Sequence, residues 1–108
     1  MIKAVFYRNP DKTYMGFSLE GHAGYAAKGR DILCSAVTAL SFNTVNSIEA
    51  LTDNKTKVEA ERSGSLKFRF ESPSDDKGQL LIQSLVLGLT DLYKEYGDRF
   101  IGIYFKEV

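Results

Sequence analysis

Seventeen consecutive residues, 32–48, carry no charged side chain, in a chain that is 26% charged. Apolar or small residues recur through and just beyond this stretch at steps of three and four, the spacing of one buried helix face; they are Leu33, Val37, Leu40, Thr44, Ile48 and Leu51. This pattern predicts a helix over residues 32–51. A helix with water along one side would carry charges there, so we expect this one to be covered on most faces by a sheet and by a second helix or a partner subunit.

The segments around this helix predict five strands and a second helix. Alternating residues rich in β-branched and aromatic side chains indicate strands, at residues 2–8, 14–20, 57–61, 65–71 and 100–105. The second helix begins after the turn residues 72–75 and runs to about Tyr96, with Gly97 in the place of a C-terminal cap. Gly88 within it marks either a close approach of two helices or a tolerated irregularity.

This order, ββαββαβ, predicts one α+β domain over residues 1–108. Two helices would pack on one face of a five-stranded, mainly antiparallel or mixed sheet, whose strand order the pattern does not determine. In the second strand, Met15, Phe17 and Leu19 are expected on one face, with Tyr14 and Gly16 on the other.

The charge balance argues against a polyanionic partner. Fourteen Lys and Arg residues match fourteen Asp and Glu residues, so there is no overall field to attract nucleic acid or an anionic membrane. In the hairpin of residues 57–71, Leu66, Phe68 and Phe70 are expected to point inward, whereas an RNA-binding sheet exposes aromatic side chains among basic ones. We therefore expect no direct nucleic-acid partner and no membrane association.

Cys34 and His22 are the only cysteine and the only histidine. One cysteine forms no internal disulfide, which suits the cytoplasm, and the polar start of the chain does not fit a signal peptide. One His with one Cys does not complete a zinc site without several carboxylates, so we expect no metal and no cofactor.

The segment that joins these two residues is rich in glycine and leads into the uncharged helix. Asp31 is a good N-cap, which would put Cys34 at about the third helical position, where the free N–H groups and the helix dipole favour a thiolate. An imidazole at His22 would accept the thiol proton or pair with the thiolate. Cys34, Thr38 and Ser41 share a small polar face, so the thiol is expected to face a groove. The alternative is that Cys34 is a small buried hydrophobe and His22 an ordinary polar residue.

At these residues the sequence resembles the ribosomal-processing cysteine proteases of Firmicutes and related bacteria. The resemblance rests on Gly21-His22-Ala23, on the separation of His22 from Cys34, and on the run Gly29-Arg30-Asp31-Ile32-Leu33-Cys34 opening a helix. It extends to chain length and element order. It implies a homodimeric Cys–His endopeptidase that removes the N-terminal extension of large-subunit ribosomal protein twenty-seven after a Phe, so that the mature protein enters the ribosome.

The resemblance assigns roles to the residues around the pair. Cys34 is then the nucleophile and His22 the base and acid, while Asp31 and Thr38 support them, Asp31 either by capping the helix alone or by also orienting the imidazole. The intervening segment would be a substrate loop that closes over the peptide; its members are Gly21, Gly24, Tyr25, Gly29 and Arg30. Tyr25 and Phe42 are candidates for the apolar substrate pocket.

Two other classes of function remain open from the residues. One is a non-enzymatic, ribosome-associated assembly factor in which Cys34 is only buried. The other is a thiol redox sensor, which would need an external thiol because the chain has no second cysteine.

Overall fold

The computed structural model describes the backbone of residues 1–21, 28–61 and 64–108, and their side chains except at 28–31. The elements follow the predicted order; they are β1 (Ile2–Arg8), β2 (Tyr14–Glu20), α1 (Lys28–Leu51), β3 (Thr56–Ala60), β4 (Leu66–Phe70), α2 (Asp76–Tyr96) and β5 (Ile101–Glu107). The bounds of β1 and β2 agree with the prediction to the residue. No helix in the described part of the chain is long and apolar enough to cross a membrane.

The five strands form one mixed sheet in the order β3-β4-β2-β1-β5. Three neighbouring pairs are antiparallel, and β5 lies parallel to β1, with Ile2 opposite Ile101. The parallel pair requires a long crossover, and the chain between β1 and β5 supplies it with both helices. The predicted α+β architecture, two helices on a five-stranded mixed sheet, is confirmed.

The core lies between the two helices and one face of the sheet. Directly opposed residues of neighbouring strands share a face, which lines up Phe6, Phe17 and Phe68 across β1, β2 and β4. Their ring centroids are 5.6 Å (Phe6–Phe17) and 5.4 Å (Phe17–Phe68) apart. Leu66, Phe68 and Phe70 point inward as predicted.

The prediction for the start of β2 is wrong. The register of β1 against β2 shifts between Tyr7 and Arg8, so that Arg8 lies opposite Tyr14 and Met15 is left as the extra residue of a β-bulge. Tyr14 therefore packs edge-on against Phe6 in the core, with 5.9 Å between the ring centroids, while Met15 stays 37% exposed. A bulge breaks the period of two on which the assignment of faces relied.

The second helix ends as its sequence predicts. Asp75 is the N-cap and accepts a hydrogen bond from the Gly78 N–H, and Gly97 is the C-cap with φ of 85°. Gly88 marks the close helix approach, because a Cβ there would lie 3.1 Å from Leu40 Cδ1 on α1.

The uncharged stretch of α1 is only partly covered within the chain. Its buried side faces the sheet and α2, but Ile32, Ser35, Ala39, Asn43 and Asn46 are exposed. The expectation that most of its faces are covered is therefore not met by the chain alone.

Candidate active site

Gly21 marks the point where the chain leaves the sheet toward α1. Its φ is +78°, in the left-handed region that glycine adopts readily, and a Cβ there would clash with the carbonyl oxygen of Met1. Met1 directly precedes β1, the neighbouring strand, in which Lys3 lies opposite Glu20. Gly21 thus fixes the exit of the chain at this corner of the sheet.

Helix α1 begins earlier than the sequence suggested. Its first residue is Lys28, so the expectation that Asp31 is the N-cap is wrong, and Gly29 and Arg30 belong to the helix and not to a loop. Cys34 is the seventh helical residue and not the third. The helix dipole and the free N–H groups act within the first turn, and Cys34 lies in the second turn. They therefore do not account for a stabilised Cys34 thiolate in this structure.

The Cys34 side chain lies at the edge of the hydrophobic core. It is 7% exposed and clusters with apolar residues that include Leu33 (1%) and Val37 (0%). The expectation of a thiol facing an open groove is therefore wrong for this structure. The buried stripe of α1 is wider than the single row read from the sequence, and it takes in the face that carries Cys34.

Ser41 lies two turns after Cys34 on this same face and is fully buried. Its Oγ makes no hydrogen bond to any residue in the described part of the chain, and it is the one buried side-chain polar atom there of which this is true. Thr38, between the two, is half-buried, and so is Phe42. The sequence showed a small polar face here but not that it is turned inward.

Several predicted site residues lie outside the described residues. They are His22, Gly24 and Tyr25 entirely, and Asp31 and Arg30 in their side chains. Their catalytic, supporting and loop roles remain predictions. Among the described residues, no group of three or more His, Cys, Asp or Glu side chains is placed to hold a metal ion.

Comparison with known proteins places this architecture among the cysteine proteases. A family model described as "Cysteine protease Prp" matches residues 1–101, which include both His22 and Cys34. The ribosomal processing cysteine protease Prp of Bacillus subtilis is 33% identical over 104 residues, which cover 91% of this chain and 92% of that protein. The chain belongs to the Prp family of ribosomal processing cysteine proteases.

Solved structures agree over the whole fold. A crystal structure of a protein from Streptococcus mutans superposes with a TM-score of 0.91 at 32% identity, covering 100% of this chain and 96% of that one. Prp from Staphylococcus aureus, solved in complex with a substrate peptide, gives a TM-score of 0.90 at 25% identity, covering 98% of this chain and 100% of that one. The same S. aureus protease has been solved with a covalently linked product peptide, at a TM-score of 0.88 and 26% identity, with 98% and 100% covered.

Proposed function

We propose that this chain is an endopeptidase that removes the N-terminal extension of large-subunit ribosomal protein twenty-seven, with Cys34 as nucleophile and His22 as base and acid. The observation that carries the assignment is that Cys34 is the only thiol in the chain and lies within the span matched by the cysteine protease family. A covalent product peptide on the S. aureus relative supports nucleophilic catalysis in the family. If this chain uses a thiolate, it uses Cys34.

The reaction follows from the two side chains. The Cys34 sulfur bonds to the scissile carbonyl carbon, the C–N bond breaks, and His22 gives its proton to the leaving amine. Water then attacks the carbonyl carbon of the thioester while His22 takes a proton from the water. The C–S bond breaks, which releases the new carboxylate and restores the Cys34 thiolate. Backbone N–H groups are the expected donors to the oxyanion.

The burial of Cys34 adds a condition to this proposal. With 7% of the residue exposed, its sulfur is not open to a peptide in the conformation seen here. We propose that peptide binding opens the path to the sulfur, so that only the correct extension meets an assembled site. The resemblance further supports a homodimer acting in the cytoplasm.

The test is cleavage of a peptide that carries the extension and its Phe site, followed by mass spectrometry. Cys34→Ala and His22→Ala are each expected to abolish cleavage while keeping the circular dichroism of the parent. Ser35→Ala is the matched control, because Ser35 is the exposed neighbour of Cys34 on α1. Turnover by Cys34→Ala close to that of the parent would contradict the assignment.

A further inference from the structure

The face of the sheet that points away from the helices is covered by no other described element. We refer to it as the outer face, and strand register places its residues in three rows. The first row is Lys57, Arg69, Gly16, Tyr7 and Lys106. The second row is Glu59, Lys67, Ser18, Val5 and Tyr104. The third row is Glu20, Lys3 and Gly102.

This face is basic although the chain is neutral. It holds five of the fourteen Lys and Arg residues and two of the fourteen Asp and Glu residues, an excess of three positive charges. All five cations are exposed. An ion pair on this face joins Lys57 Nζ to Glu59 Oε1 at 3.8 Å. Both side chains are more than half exposed, so the pair neutralises little of the positive charge.

A groove of about 400 Å³ runs along the middle of the outer face. Its floor is low because Gly16 and Ser18 are small, and its sides include Tyr7, Lys67 and Arg69. Ser18 is only 9% exposed, although no other described element covers this face, so its larger neighbours on the sheet screen it from water. The hydroxyl groups of Tyr7 and Ser18 lie 3.3 Å apart and supply a polar pair in the groove.

Two aromatic rings stand among these cations. Tyr7 on β1 is half-buried and Tyr104 on the adjacent β5 is 43% exposed, one row apart. Lys3 Nζ lies 5.5 Å from the centroid of the Tyr104 ring. Aromatic rings surrounded by Lys and Arg on a sheet are typical of surfaces that bind single-stranded nucleic acid, because the bases stack on the rings and the cations bind the phosphates.

We propose that the outer face binds single-stranded RNA, with the backbone along Lys57, Lys67 and Arg69 and bases on Tyr7 and Tyr104. An acidic peptide would pair with the cations, but its carboxylates would not stack on the two tyrosine rings. In duplex RNA the bases are stacked on each other, so they are not available to stack on the tyrosine rings. The expectation of no nucleic-acid partner relied on the charge of the whole chain and on the inward-facing residues of the hairpin 57–71. The total charge hides an asymmetry that appears only when the five strands are placed in register, and the two tyrosines of the outer face lie outside that hairpin, on β1 and β5. The proposal is independent of the peptidase activity, since Cys34 lies on the opposite side of the sheet.

The test is fluorescence anisotropy of a labelled single-stranded oligouridine of about 12 nucleotides, titrated with the full chain at several salt concentrations. The slope of log K against log salt is expected at about −2 to −3, as for three or four phosphate contacts on a single strand. Lys67→Gln with Arg69→Gln should weaken binding and make the slope shallower by about 1.4, as for the loss of two phosphate contacts on a single strand. Tyr104→Leu should weaken binding about tenfold and leave the slope unchanged.

The matched control removes the same charge from the other side of the molecule. Lys77 and Lys94 are exposed on α2, so Lys77→Gln with Lys94→Gln should leave RNA binding unchanged. All these variants should cleave the peptide substrate like the parent. Absence of RNA binding, equal loss in the α2 control, or binding of a labelled oligoglutamate peptide in place of RNA would each overturn the proposal.

Discussion

The side-chain amide of Gln79, in the first turn of α2, forms two hydrogen bonds with the backbone of Tyr14, the first residue of β2. Tyr14 N–H donates to Oε1 at 2.9 Å, and Nε2 donates to the Tyr14 carbonyl at 2.7 Å. Nε2 also lies 2.7 Å from Ser74 Oγ. One side chain thus pairs the two backbone groups that β2 exposes next to its bulge, and it ties them to the start of a helix 65 residues away in the sequence.

Replacing Gln79 tests this link. Gln79→Ala is expected to lower the free energy of unfolding by about 1–3 kcal/mol, because the hydrogen bonds to Tyr14 and Ser74 are lost and part-buried backbone groups lose their partners. Urea denaturation followed by circular dichroism measures it. Gln83→Ala, at an exposed position one turn later, is the control and should change stability by less than about 0.5 kcal/mol. A similar loss in both variants would show that the pairing contributes little.

The N-cap of α2 predicts an acid-dependent stability. The Asn54 side-chain amide, and after it the Gly78 N–H, hold the pKa of Asp75 below its ordinary value of 3.8. Because the pKa is lower in the folded chain, the stability from Asp75 is present above pH 3.8 and is lost as the pH falls through the lowered pKa. Asp75→Asn should therefore lower Tm at neutral pH and lose less Tm than the parent on acidification.

The control for this pH dependence is Asp91→Asn, an exposed acid in the middle of α2. It should keep the acid response of the parent between pH 5 and pH 3, a range that brackets the ordinary carboxyl values. Parallel Tm curves for the parent and Asp75→Asn across that range would contradict the assignment of the effect to the cap.

The sequence predicted those parts of the fold that depend on local patterns. Runs of alternating residues rich in β-branched and aromatic side chains predicted the bounds of β1 and β2, and Asp75 and Gly97 marked the ends of α2 by their capping chemistry. Strand order was not predictable, because the parallel pairing of β1 with β5 joins residues about a hundred positions apart and leaves no local signal. The start of α1 was missed because Gly29 is a poor helix former and the residues before Ile32 show no apolar spacing.

In the candidate site, too, local patterns predicted some features, while others depended on tertiary packing. Residue types and spacing together with the family resemblance made Cys34 the candidate nucleophile, but they did not tell which side of α1 meets the core. Seven buried residues between Leu33 and Ile48 make that side wider than one row, and this width depends on how α2 and the sheet pack against the helix. The basic outer face was missed for a similar reason, since its five cations come from four strands.

Two glycines allow the effect of close packing to be measured. A Cβ on Gly16 would meet the Phe68 carbonyl oxygen of the neighbouring strand, whereas a Cβ on Gly88 would meet the end of the flexible Leu40 side chain at 3.1 Å. Backbone cannot yield as a side chain does, so Gly16→Ala is expected to cost about 1–3 kcal/mol of unfolding free energy. Gly88→Ala should be within about 1 kcal/mol of the parent, because gained helix propensity offsets the contact. Urea denaturation of the pair measures it, and equal losses would contradict this account.

The buried hydroxyl of Ser41 predicts a substitution that stabilises the protein. Its Oγ is removed from water without a hydrogen bond to any described residue, and an unsatisfied buried group costs about 1–3 kcal/mol. Ser41→Ala removes that cost with a small loss of volume, so we expect the free energy of unfolding to rise by about 1 kcal/mol. Thr44→Ser is the control, because it keeps the hydroxyl that donates to the Leu40 carbonyl at 2.9 Å. Denaturation and peptide cleavage are measured together. A loss of stability in Ser41→Ala would mean that the hydroxyl has a partner, and a loss of cleavage alone would mean that it serves the face of α1 that carries Cys34.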